Sequence, residues 1–139
     1  MSEPQRAVPR RYTWSDYRSW TDDQRWEIIG GEAFAMSPSP ASRHQRILGE
    51  LAYQLKAHFR GKRCEPFLAP LDVKLSDEDI VQPDILVVCD PRQVKPTHLE
   101  GAPALVVEIL SPSSVAHDRL RKMNLYARCG IKEFWIVTP

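Results

Sequence analysis

Two apolar runs in this chain each carry one carboxylate, and that pairing constrains the fold more than any other feature. Asp84 begins the apolar stretch of Val81-Gln82-Pro83-Asp84-Ile85-Leu86-Val87-Val88. Glu108 closes the stretch in Pro103-Ala104-Leu105-Val106-Val107-Glu108-Ile109-Leu110. Both runs are β-branched, apolar and bounded by Pro or Gly, so each reads as a buried strand. A carboxylate in such a strand is costly to desolvate unless it is paired or bound to a metal. One acid alone is met most simply by a local basic partner at the sheet's end. Two acids on strands that can lie side by side make a site for a hard divalent cation such as Mg²⁺.

At 139 residues the chain predicts one domain over residues 12–139, behind a loose, Pro- and Arg-rich tail over 1–11. A formal net charge of +1 gives no strong field toward nucleic acid or membrane, so an anionic partner must meet a local basic patch. Cys64, Cys89 and Cys129 are widely spaced and form no C-x-x-C pair. That spacing argues against a zinc ribbon or a disulfide framework, and for reduced thiols in the cytoplasm. No run is long enough to span a bilayer, and no apolar signal-peptide segment opens the sequence.

Along the chain, Thr13-Trp14-Ser15-Asp16 predicts a capped helix reaching about Trp20. Arg25 to Met36 predicts a hairpin turning at Gly30-Gly31, and Ser37-Pro38-Ser39-Pro40 a linker. His44 to Phe59 is the clearest helix, with Ile47, Leu51, Leu55 and Phe59 at i, i+4 spacing and Gly61 as its stop. A strand with a polar break at Asp72 is expected from Phe67 to Leu75, then an acidic turn at Ser76–Asp79 and the Asp84 strand. Asp90 to Gly101 reads as a polar loop leading to the Glu108 strand. Ser111–Ser114 supplies a loop and cap for a helix from about Val115 to Arg128. Phe134–Val137 is the last strand, and a right-handed crossover makes it parallel to the Glu108 strand.

The order helix, three strands, helix, strand, with Pro-Asp on the second strand and Glu on the third, resembles the PD-(D/E)XK nuclease superfamily. The likeness is closer to a bacterial branch whose members carry the label restriction endonuclease and whose lysine is displaced to the following helix. It rests on Trp26-Glu27-Ile28-Ile29-Gly30-Gly31-Glu32, His44 opening the first core helix, and Val81-Gln82-Pro83-Asp84. It rests also on Val107–Ser113, Asp118-x-x-x-Lys122-x-x-x-Tyr126, and Gly130–Val137. The expected fold is therefore α/β, a restriction-endonuclease-like core preceded by a helix and a β-hairpin.

The resemblance implies hydrolysis of DNA phosphodiester bonds with Mg²⁺ or Mn²⁺. Asp84 and Glu108 would hold the metal, with the Ile109 carbonyl as third ligand. Leu110 stands where the superfamily places its lysine, and Lys122 is the matching displaced position. At ~100° per residue Asp118, Lys122 and Tyr126 form one stripe. That stripe flanks an expected Leu120, Met123, Ala127 face, although Asp118 and Lys122 also suit an ordinary i,i+4 surface pair.

Glu27 is read either as an outward strand acid or as an added metal ligand, and His44 as a buried structural residue or a phosphate contact. Arg43, Arg46 and Arg119 are candidates for backbone phosphate contacts, which are salt-dependent. Trp14, Trp20, Trp26 and Trp135 read as core or interface rather than as base-stacking groups. The branch usually continues beyond the last strand, so this chain is expected to be naturally short or a fragment. An exposed sheet edge would then favour a homodimer. Two rivals stay open: a catalytically inactive nucleic-acid-binding or oligomerising module on the same fold, and a hydrolase of another phosphoester.

Overall fold

The computed structural model describes residues 10–36, 41–111 and 116–139, the side chains of residues 116–118 excepted. The elements, in order, are α1 (Trp14–Ser19), β1 (Trp26–Ile29), β2 (Glu32–Ala35), α2 (Ser42–Phe59), β3 (Glu65–Leu68), β4 (Asp72–Ser76) and β5 (Asp79–Val81). They continue with β6 (Ile85–Val88), β7 (His98–Glu100), β8 (Leu105–Ile109), α3 (Ala116–Arg128) and β9 (Glu133–Val137). The strands form two sheets, β2-β1-β5-β4-β7 and β3-β6-β8-β9.

Several elements follow local chemistry. Thr13 and Asp16 close a capping box at the start of α1, each side chain bonded to the other's backbone N–H. The β1–β2 hairpin turns through Gly30 and Gly31, both at positive φ, as a tight two-residue turn demands. The α3 crossover leaves β8 and β9 parallel, with Glu108 beside Ile136.

Strand alternation sorts the core into layers. Ile85, Val87, Leu105, Val107 and Ile109 face the Ile47, Leu51, Leu55 and Phe59 stripe of α2. Their neighbours Leu86, Val88 and Val106 face the other way, toward Leu125 and Tyr126 of α3 and toward Val73, Val81 and Ile29 of the five-stranded sheet. On that sheet's far face, Ile28 and Ile80 pack with Tyr12, Trp14, Tyr17 and Trp20. The alternation therefore aims Glu108, in step with Val106, and Glu27, in step with Ile29, into the layer between the sheets.

The structure corrects five expectations. The Phe67–Leu75 run is two strands in different sheets, because the chain turns at Ala69-Pro70 and Pro70 has no N–H to give a ladder. The Asp84 run is also two strands: β5 belongs to one sheet and β6 to the other, with Asp84 at the crossing between them. The polar loop before β8 holds β7, which pairs parallel with β4 and buries Leu99; three residues with one apolar position show no period.

Cys64 and Cys89 form a disulfide, against the expected reduced thiols, while Cys129 is free. The antiparallel register that pairs Glu65 with Val88 brings these cysteines opposite one another despite their distance in sequence. Finally, Leu120 and Met123 are 57 % and 42 % exposed, and the buried face of α3 is instead the one carrying Leu125 and Tyr126. The Ser37–Pro40 linker and Pro112–Ser114 of the expected loop and cap lie outside the described residues. Arg10 and Arg11, assigned to the tail, pair with Asp16 and Glu78. Among the described residues, no helix is long and apolar enough to cross a membrane.

Candidate metal-dependent hydrolytic site

Five elements bring one polar cluster together. Glu108 lies near the end of β8, a central strand flanked by β6 and β9. Continuing the β6–β8 register, in which Ile85 pairs with Val107, sets Asp84 opposite Glu108. Asp84 is fixed by the Ile109 backbone N–H, which donates to its Oδ2 at 2.7 Å. From α2, the buried His44 ring places Nε2 3.3 Å from Asp84 Oδ1. Nδ1 of that ring is buried without a hydrogen-bond partner among the described residues.

A lysine reaches the cluster from α3. Lys122 Nζ donates to Glu108 Oε2 at 3.1 Å and to Glu27 Oε2 at 2.9 Å. One turn further along, the Tyr126 hydroxyl donates to Glu108 Oε2 at 2.6 Å. The i,i+4 spacing on α3 thus lets an ammonium and a phenol converge on one carboxylate oxygen. Glu27 is held in turn by the Gln82 backbone N–H, at 2.9 Å from Oε2.

The charges do not balance. Glu27, Asp84 and Glu108 bring three carboxylates, and Lys122 is the ammonium bonded among them. Burial pushes the Glu108 carboxyl above its ordinary value, and the Glu27 and Asp84 carboxylates push the same way against Lys122 and the Tyr126 hydroxyl. Burial alone would weaken the Lys122 ammonium, but Glu108 and Glu27 outweigh it and keep Lys122 protonated. Burial and the same acids also raise the Tyr126 phenol, which stays a donor.

A hard divalent cation fits this donor set in chemistry and in charge. Asp84, just before β6, and Glu108 of β8 are neighbouring oxygen donors, and a cation would offset the Glu27 and Asp84 charges that add to burial in raising Glu108. Among the described residues, no three His, Cys, Asp or Glu side chains make a complete cation cage. An open two-carboxylate site is what Mg²⁺ uses when water and substrate phosphates complete its shell.

The predicted residues divide cleanly. Asp84, Glu108, Lys122, Tyr126, Glu27 and His44 converge, and Ile109 contributes its N–H to Asp84. Arg43, Arg46 and Arg119 are exposed, outside the hydrogen-bonded cluster, and the side chain of Asp118 lies outside the described residues. Gln82 was missed. Besides holding Glu27, its side chain accepts from Arg25 and donates to the Tyr17 hydroxyl and Asp72. The available signal was a lone amide inside an apolar run.

Residues 14–139 match the Uma2 family, described as "Putative restriction endonuclease". The chain belongs to this family. A relative, "Uncharacterized protein slr1290" of Synechocystis, is 36 % identical over 115 residues, or 81 % of this chain and 60 % of the relative. The chain therefore spans 60 % of the length of that curated relative. Among solved structures, the chain is similar to one described as a putative nuclease belonging to DUF820 from Anabaena variabilis. The TM-score is 0.73 at 21 % identity, over 91 % of this chain and 74 % of that one. At that identity the likeness carries the fold alone, which is the restriction-endonuclease-like α/β arrangement expected of the Uma2 family.

Proposed function

We propose that this protein is a metal-dependent endonuclease that hydrolyses DNA phosphodiester bonds, using Asp84, Glu108 and Lys122. The observation that supports the reading most strongly is the Lys122 ammonium, brought from α3 to within hydrogen-bond reach of Glu108 and Glu27. Asp84 and Glu108, with the carbonyl of Ile109, would hold Mg²⁺ or Mn²⁺, which when bound lowers the pKa of water and neutralises phosphate charge. Lys122 stays charged and positions the attacking water while stabilising charge that develops on the phosphate. The Tyr126 hydroxyl and the Gln82 N–H hold Glu108 and Glu27 in place. His44 orients Asp84 through Oδ1, and Ile109 N–H orients it through Oδ2.

Arg43, Arg46 and Arg119 are the proposed contacts to the DNA backbone, and a homodimer is the form in which both strands are cut. Family membership supports a nucleic-acid substrate. A second reading is a catalytically silent nucleic-acid-binding module. It draws on the Lys122 ion pairs, which already occupy Glu108 and Glu27, and on the lack of a complete cation cage among the described residues.

Nicking of supercoiled plasmid with Mg²⁺ or Mn²⁺ separates the two. The nuclease reading expects cutting by the parent that is lost in Asp84→Asn and in Lys122→Ala, with the far-UV spectrum unchanged. DNA binding without cutting by the folded parent, insensitive to Asp84→Asn, would establish the binding module instead.

A further inference from the structure

The second concentration of chemistry lies across the five-stranded sheet from the acids. β1 presents Glu27 to the site and Trp26 to the opposite face, where α1 packs. There, Trp14, Tyr17, Trp20 and Trp26 border a cavity of about 290 Å³, together with Arg18, Asp22 and Asp72. The proposed nuclease uses none of these side chains.

The walls suit a cation. Trp14 and Tyr17 stack at 17°, whereas Tyr17 and Trp20 meet at 62° and Trp20 and Trp26 at 69°, so the wall turns corners at Trp20. A ring face in such a wall offers a positive charge its negative quadrupole potential. The cluster already attracts the protein's own cations: the Arg18 guanidinium and the Lys74 ammonium lie 5.7 and 5.8 Å from the Trp14 ring centre. Among the described residues, no such cation covers Trp20 or Trp26. Asp22 and Asp72 stand against the Arg18 guanidinium in the lining, and the Lys74 ammonium over Trp14 is paired with Glu100 at 3.5 Å. Asp22 takes its known donors from Trp26 Nε1 and Gln24 N–H, and Asp72 from Tyr17 and Gln82, so neither acid has an ammonium or guanidinium bonded to it among the described residues.

We propose that this cavity binds a small alkylated ammonium ion between the rings of Tyr17, Trp20 and Trp26 and the carboxylates of Asp22 and Asp72. Alkylation matters because a methylated ammonium sheds water easily and fills the space between rings, whereas a bare ammonium stays hydrated. The volume accommodates such a headgroup.

The test is a titration of the full chain with choline chloride, read by tryptophan emission and by calorimetry, against sodium chloride at equal ionic strength. The neutral isostere 3,3-dimethylbutan-1-ol and adenosine are the comparison ligands. Saturable binding of choline is expected. It should weaken by about tenfold or more with the uncharged isostere and in Asp22→Asn, the scale of a desolvated cation–π and charge contact. Asn keeps an acceptor for Trp26 Nε1, so that variant should fold; Asp72→Asn is the second variant, and far-UV spectra check both. The proposal is overturned if choline gives no more change than sodium chloride or the alcohol binds equally well. Undiminished affinity in both Asn variants, or adenosine binding more tightly than choline, would also overturn it.

Discussion

Two acids, Asp79 on one sheet and Glu108 on the other, are treated in opposite ways. Asp79 at the start of β5 is almost completely buried and accepts hydrogen bonds on both oxygens. Gly30 N–H reaches Oδ1 at 2.8 Å, Ser76 Oγ reaches Oδ2 at 2.6 Å, and Arg128 bonds both oxygens. Burial pushes its pKa up, yet Arg128, Ser76 and Gly30 together outweigh burial and hold it below the ordinary value. Glu108 also has good donors, but burial, joined by the Glu27 and Asp84 carboxylates beside it, outweighs them and its pKa is raised. An acid that is satisfied serves the fold. An acid held in surplus needs a charge from elsewhere, and that is the physical mark of a site.

The largest effect should come from Glu108→Gln. Amide for carboxylate removes one charge from the surplus, so the melting temperature should hold or rise while plasmid cutting falls by on the order of 10³-fold. A variant that melts much lower and still cuts would place Glu108 with Asp79 as a structural acid.

Asp79→Ala should do the reverse. It strands the Gly30 N–H, the Ser76 hydroxyl and part of the Arg128 guanidinium, costing about 2–4 kcal/mol in denaturant unfolding, discounted because Arg128 is half exposed. Cutting per folded molecule should stay within about twofold, because Asp79 lies outside the acid cluster. Loss of cutting at full stability would break the contrast from the other side.

The pH dependence follows with its sign. Because the folded pKa of Asp79 is depressed, its contribution to stability is whole above the unfolded carboxylate value and disappears as pH falls through the folded one. Unfolding by urea between about pH 2 and pH 5 should therefore show a slope that is flattened in Asp79→Ala. An equal slope in both chains would mean that other carboxylates set the acid limit.

Much of the site was legible because its parts are carried by local patterns. Asp84 and Glu108 stand out as charges in apolar runs, and Lys122 and Tyr126 share a helical stripe. The layer in which they meet was not legible, since it depends on the chain leaving one sheet for the other at Asp84, and a continuous apolar run conceals such a crossing. The face of α3 was misread for a related reason. Its buried side carries Lys122 and Tyr126, whose polar ends are satisfied only by acids from other elements, so hydropathy pointed to Leu120 and Met123. The Cys64–Cys89 pairing was hidden because sequence distance carries no register.

The smallest effect tests how much of Glu108's setting is the hydroxyl and how much is the ammonium. Tyr126→Phe removes the 2.6 Å bond to Oε2 but keeps the ring, which packs edge-on against Phe134 at 4.9 Å between centres. With Lys122 still bonded to the same oxygen, the loss should be about 1 kcal/mol of stability, the net worth of one hydrogen bond. Cutting should fall only about three- to tenfold, because the phenol positions the acid and does not carry charge in the reaction. Loss as complete as in Glu108→Gln, with the fold intact, would instead give the phenol a direct part in moving the proton. Such a result would shift the centre of the site from the strands to α3.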